Sequence, residues 1–175
     1  MIDTKLILIE GLPGSGKTWT SQYLAYQCEK NGNPARWYHE QDKQVLDILD
    51  LQSDFPEIKI AQWKAFVSEA KESESVNILD SRYLMNSVGF FFAMDEMAKL
   101  AEFESMWEDI VKPLNPVFIY FYQSDVEKAL RQTLDLRREY WEEWAFKKIT
   151  DGTAFGKRNK LKGFDGFVTF FKDFK

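Results

Sequence analysis

Leu6-Ile7-Leu8-Ile9-Glu10-Gly11-Leu12-Pro13-Gly14-Ser15-Gly16-Lys17-Thr18 is the stretch on which the fold turns. Leu6 to Ile9 is a short continuous apolar run, the pattern of a strand buried on both faces in a parallel sheet. Gly11 to Thr18 then fits G-x-x-x-x-G-K-[ST], the pattern of a loop that cradles phosphates. Trp19 to Lys30 reads as a helix with Trp19, Tyr23 and Tyr26 on one side, closed by Asn31-Gly32 and Pro34. Strand, loop and helix therefore stand in the order the pattern requires.

The residue types suit the chemistry. Glycines let the backbone turn tightly and approach phosphate oxygens without a side-chain clash. Successive N–H groups and the positive end of the following helix make an anion site. Lys17 is expected to reach the β- and γ-phosphates, and the Thr18 hydroxyl to bind Mg²⁺. The expected nucleotide-binding set is Gly11, Leu12, Pro13, Gly14, Ser15, Gly16, Lys17 and Thr18. The plain alternative is a glycine-rich turn that binds nothing.

At 175 residues the chain reads as one domain, spanning residues 1–175, and its 45% hydrophobic content is that of a globular protein. No apolar stretch reaches the roughly 20 residues needed to cross a bilayer. The N-terminus leads straight into the first strand, so no signal peptide is expected and the expected location is the cytoplasm, away from membranes. Cys28 has no second cysteine to pair with and is expected to be core packing. A net charge of −5 argues against nucleic-acid polymers as partners. The tail is locally basic, with Lys157, Arg158, Lys160 and Lys162 close together, either as a solvated surface or as a phosphate contact.

Outward from the opening stretch, strands are expected at Lys5–Glu10, Ala35–Glu40, Val76–Asp80 and Val117–Tyr122. Helical stretches separate them: near Gln41–Leu51, Pro56–Lys71, Tyr83–Leu100, Glu102–Val111 and Asp125–Lys148. Phe164, Phe167, Phe171 and Phe174 recur at helical spacing and predict a final amphipathic helix. This alternation implies right-handed βαβ units and a mainly parallel sheet flanked by helices. No fifth strand can be placed, which leaves either a shortened chain or a fold completed by a partner, with a homodimer as the candidate.

In an open α/β sheet, ligands bind beyond the carboxyl ends of the strands. A parallel sheet would bring Glu40, Asp80 and Arg82 to the same edge as Lys17. Asp80 ends the run Val76-Asn77-Ile78-Leu79, where an acid can support Mg²⁺, and it can equally cap the helix that follows, with Ser81 competing for that cap. His39, the only histidine, alternates away from Glu40 and is expected to be packed. Arg131, Arg137 and Arg138 lie on a charged helical stretch. They are either phosphate-neutralising groups of a lid or members of solvated pairs with Asp135, Glu139 and Glu142. Aromatic residues make up 16% of the chain, and Trp63, Tyr83 and Phe90 are candidates for a base-stacking platform, though most aromatics are expected in the core.

With these residues in place, the chain resembles the nucleoside and nucleotide kinase branch of the phosphate-loop proteins, especially thymidylate kinase and the deoxynucleoside kinases. Those families carry Asp-Arg-Tyr or Glu-Arg-Ser after the third strand, and here the run is Asp80-Ser81-Arg82-Tyr83. Ser81 takes the slot of the acid and Asp80 sits one position earlier, which points to a related but distinct group. The resemblance spans roughly Lys5 to Arg138. It implies a three-layer α/β P-loop NTPase fold with an arginine-bearing helical lid at about residues 123–160. It also implies an ATP- and Mg²⁺-dependent kinase acting on a small acceptor. Glu40 is then either the general base, as at the similar position in deoxynucleoside kinases, or a surface carboxylate. Lys17, Asp80, Arg82 and the three arginines complete the expected catalytic set, and Thr18 and Asp80 the metal ligands. A nucleoside or nucleotide leads as acceptor, followed by a sugar, an antibiotic or another metabolite alcohol. A slowly hydrolysing, nucleotide-gated regulatory protein is the alternative of a different class.

Overall fold

A computed structural model of the chain describes residues 3–39, 54–140 and 146–175, with the backbone alone for 137–140. Among these, β1 (Leu6–Gly11), β2 (Ala35–Tyr38), β3 (Val76–Asp80) and β4 (Val117–Phe121) form an all-parallel sheet in the order β2-β3-β1-β4. β1 and β3 are buried along their whole length, as their unbroken apolar runs require. The register places Ile9 opposite Asp80, and Glu10 opposite Tyr120 on the other side.

Alternation along the strands divides the core into two layers. Ile7, Ile9, Val76 and Ile78 face α1 (Lys17–Lys30) and pack with Cys28. Leu6, Leu8 and Leu79 face the other way, onto α2 (Phe55–Glu72) and onto Phe103 and Trp107 of the helix Met97–Val111. Between these stand a π-helical turn, Leu84–Val88, and the short α3 (Gly89–Ala93). With α4 taken as Met97–Val111, the remaining helices are α5 (Val126–Tyr140), α6 (Lys147–Thr150), α7 (Ala154–Arg158) and α8 (Gly163–Phe174). These pack as a second cluster around Phe146, Phe155, Phe167, Phe170 and Phe171, joined to the sheet domain through Leu12 and Ala93.

One expected boundary needs correction. The stretch Tyr83–Leu100 is not one helix: it breaks at Met94-Asp95-Glu96, where Asp95 takes a left-handed φ of 58°, and α4 runs unbroken past Leu100. The aromatic side of α1 faces solvent, with Trp19 81% exposed, while the side against the sheet carries Ser21 and Cys28, small enough for close approach. In the stretch Asp125–Lys148, expected as one or two helices, α5 covers Val126–Tyr140 and α6 begins at Lys147. Glu40 and the expected Gln41–Leu51 helix lie outside the described residues. No fifth strand occurs among the described residues, and β4, paired on one side there, leaves Phe118, Tyr120 and Tyr122 exposed. No helix of the described residues is long and apolar enough to cross a membrane.

Candidate active site

The carboxyl edge of β1 and β3 carries the chemistry. β1 runs into the glycine-rich loop, whose Gly11, Gly14 and Gly16 all have positive φ, of 145°, 79° and 92°. Gly16 stands at the N-cap of α1, and no side chain of the described residues caps that end. The helix is 14 residues long and carries no acid in its first turn to offset its positive end. The buried Ser15 hydroxyl has no hydrogen-bond partner among the described residues. Lys17 is buried and donates from Nζ to the Leu12 carbonyl at 2.9 Å, so its ammonium is folded back into the loop.

Asp80 ends β3 directly beside this loop. The Thr18 hydroxyl donates to Asp80 Oδ2 at 2.6 Å, and the Ser81 hydroxyl donates to Oδ1 at 2.9 Å. Asp80 therefore does not cap the following turn, and neither does Ser81. The two expected metal ligands are brought into direct contact. The described residues hold no cluster of three or more His, Cys, Asp and Glu side chains that could bind a metal alone. A hard cation there would draw its remaining ligands from phosphate and water, the usual habit of Mg²⁺.

The turn after β3 is capped instead by Glu10, a residue that sequence reasoning passed over as the end of a strand. Its carboxylate is wholly buried, and Oε1 accepts the Tyr83 N–H at 2.7 Å. Burial pushes its pKa up to about 7, opposed by the Tyr83 amide, the Lys17 charge and, more weakly, the amides of Met85 and Leu84. The signal was available: an acid closing an apolar run that is buried on both faces must find a partner inside the protein.

No protein-family model and no curated protein matches this chain. The site is therefore read from its own atoms.

Arg82 is buried to 1% exposure and donates from Nη2 to the His39 carbonyl, tying the turn after β3 to the end of β2. His39 itself packs edge-on against Trp37, its ring centroid 5.7 Å away. Arg131 is exposed: it pairs with Glu127 at 2.9 Å and lies 4.8 Å over the Phe164 ring. Its partner is Glu127, one turn earlier, rather than Asp135. The Glu127 carboxyl is held below its usual range by hydrogen bonds from Arg131 and Lys172. Arg137 and Arg138 lie in α5, and their side chains are outside the description. In the basic tail, Arg158 pairs with Asp95 at 2.7 Å, across the break before α4. The three stacking candidates are all core residues: Trp63, Phe90 and Tyr83 are buried, and Tyr83 stacks on Trp107 with centroids 3.8 Å apart.

Two outcomes follow from this geometry. A methyl group on Gly14 would fall on the Thr133 hydroxyl and within 2.8 Å of the Ala129 carbonyl, both on α5, at a backbone angle that side chains rarely adopt. Gly14→Ala is expected to cost about 1–3 kcal/mol; an unchanged thermal midpoint would show that loop and α5 do not press together. Glu10 sets a pH dependence. Its folded pKa of about 7 lies above the ordinary 4.5, so the folded chain keeps a proton that the unfolded chain releases. Stability therefore falls as pH rises from about 4.5 to 7 and levels off above, by about 3 kcal/mol in all. Urea unfolding at pH 5 and pH 8 should show this loss in the wild type and not in Glu10→Gln. Parallel losses in both proteins would remove Glu10 as the cause.

Proposed function

We propose that the chain is an ATP- and Mg²⁺-dependent phosphotransferase of the P-loop type, moving the γ-phosphate to a small acceptor such as a nucleoside or nucleotide. The observation that carries this reading is the contact of Thr18 with Asp80 beside an uncapped helix N-terminus and the buried Lys17. A glycine turn without a ligand has no need of a lysine, an acid and an uncapped helix end at one edge. The amides of the loop and of α1 bind phosphate oxygens and fix the donor's orientation. Lys17 leaves the Leu12 carbonyl for the β- and γ-phosphates, exchanging a neutral acceptor for a charged one. Thr18 and Asp80 hold Mg²⁺, which when bound neutralises charge on the transferring group. Arg82 steadies the turn from which the acceptor side is built, and α5, the helix that carries Arg131, packs against the loop through Gly14.

A second reading, a nucleotide-gated regulatory protein, draws support from the exposed aromatics Trp19 and Tyr23 on α1 and Tyr122 beyond β4, which suit a partner surface. Turnover separates the two. With a panel of nucleosides, nucleotides, sugars and amino alcohols, the kinase is expected to consume ATP at least tenfold faster with one acceptor than with water. Acceptor-independent hydrolysis alone would favour the regulatory reading. Lys17→Ala is expected to abolish turnover while the circular dichroism spectrum stays native. Full activity in that variant would end the assignment of the loop as the donor site.

A further inference from the structure

Glu10 and Asp80 stand at the same edge of the sheet and on opposite sides of it. Ile9 faces α1 and is in register with Asp80, so Asp80 also faces α1, where Thr18 meets it. Glu10, one residue on, faces the α2 and α4 side, where it receives the Tyr83 amide. Its backbone continues directly into Gly11 and the loop. One acid is thus joined to the structures of both proposed half-sites: to the donor loop through the chain, with the Lys17 charge acting on it, and to the acceptor-side turn through the Tyr83 amide.

From this placement we infer that Glu10 is a positioning residue coupling the donor loop to the turn Ser81–Tyr83 and the helical segment it starts. The inference rests on the proposed reading of the loop as a triphosphate site. Three further observations support it. The turn is not self-supporting: Ser81 holds a left-handed φ of 58° at a non-glycine position, a strained arrangement that persists only where its surroundings enforce it. The segment Leu84–Val88 is a π-helical turn with no side-chain cap of its own, so Glu10 supplies the anion that its N-terminal amides need. The second oxygen, Oε2, accepts no hydrogen bond from the described residues, so the hold on the turn rests on Oε1 and the Tyr83 amide, with weaker help from the amides of Leu84 and Met85.

The electrostatic balance around that bond involves Lys17. Among the described residues, the groups acting on Glu10 are Lys17 from α1 and the amides of Tyr83, Leu84 and Met85. The Tyr83 phenol, pushed up by burial and by Glu104, lies beside it, with Glu104 and Glu108 behind on α4, and Tyr120 is its register neighbour on β4. Lys17 is the cation of this set. A triphosphate that takes over the Lys17 charge leaves the Glu10 carboxylate without its counter-ion and adds negative charge nearby. The carboxylate then takes up a proton, and its bond to the Tyr83 amide weakens from charge-assisted to neutral. Loading the donor loop loosens the acceptor-side turn, and ordering that turn opposes protonation of Glu10.

The test follows the Tyr83 amide of the full ¹⁵N-labelled chain by NMR between pH 5.5 and 8.5. In the ligand-free wild type this resonance is expected to titrate with a midpoint near 7, and in Glu10→Gln to stay flat. Adding Mg²⁺ with a non-hydrolysable ATP analogue should move the wild-type midpoint up by about half a pH unit or more. A flat wild-type resonance, or a titration that survives in Glu10→Gln, would overturn the clamp. A midpoint that stays put while the Gly16 and Thr18 amides report bound nucleotide would overturn the coupling. If no loop amide responds to nucleotide, the triphosphate reading fails and the coupling with it, whereas the ligand-free titration still decides the clamp. Should Glu10→Gln not fold, the wild-type Glu10 carboxyl ¹³C resonance, titrating in step with the Tyr83 amide, takes its place.

Discussion

The pairing of β1 with β3, which sets Ile9 opposite Asp80, is the constraint on which the carboxyl edge depends. It carries Thr18 and Asp80 to the same side of the sheet and leaves Glu10 on the other. A slip of one residue in this pairing would set Glu10 opposite Asp80 and put both acids on the same face of the sheet. The apolar residues of β1 guard against that slip, because Ile7 and Ile9 fill one layer and Leu6 and Leu8 the other. Hydrophobic alternation, unspecific in itself, thereby sets the geometry of the polar groups to within one hydrogen bond.

Keeping those groups where they are is costly. Glu10, Lys17, Asp80 and Arg82 are all buried, at 0%, 6%, 0% and 1% exposure. Two are acids and two are bases, so the edge is close to neutral as a unit, although no single member would be stable there alone. Removing one partner from such a set typically costs about 3–5 kcal/mol, because the remaining charge stays buried. The aromatic layer beneath offsets the cost. Trp63, Phe91, Phe103 and Trp107 are buried against one another, with Trp63 and Trp107 edge to face at 5.7 Å. This explains the high aromatic content better than a stacking platform for a base does. The aromatics Trp63, Tyr83 and Phe90 are inside because the site above them is expensive.

Much of this was legible in the sequence. The order of strand, glycine loop and helix, the end of β3 at Asp80 and the final phenylalanine helix can all be read because each is a local pattern with a strong period. The break at Met94–Glu96 could not be read. It depends on Asp95 adopting a left-handed angle, which an aspartate tolerates but does not announce, and on Arg158, 63 positions later in the chain, pairing with it. Which face of α1 points outward was not legible for a related reason. Helical spacing of Trp19, Tyr23 and Tyr26 shows that they share a side, but only the sheet decides which side is buried. The role of Glu10 was hidden because its partner is the amide of Tyr83, 73 positions away. Backbone donors leave no trace in a pattern of side chains.

The position of Arg131 bears on how the proposed transfer would be completed. Its guanidinium is engaged by Glu127 and Phe164, both at the surface. An exposed ion pair holds it by about 0–1 kcal/mol, and a surface contact with a ring by about 0.5–1 kcal/mol. Helix geometry limits where it can go: Ala129 and Thr133 face Gly14, and Arg131, two residues from each, lies on the opposite side of α5. Glu127 would not be left unpaired, since Lys172 stays 3.2 Å from its other oxygen. The backbone of α5 is held much more firmly: Ala129 and Leu130 are buried, and Gly14 packs against Ala129 and Thr133. On the proposed function, Arg131 would meet phosphate only if α5 itself turned or shifted against the loop, and the burial of Ala129 and Leu130 opposes that movement.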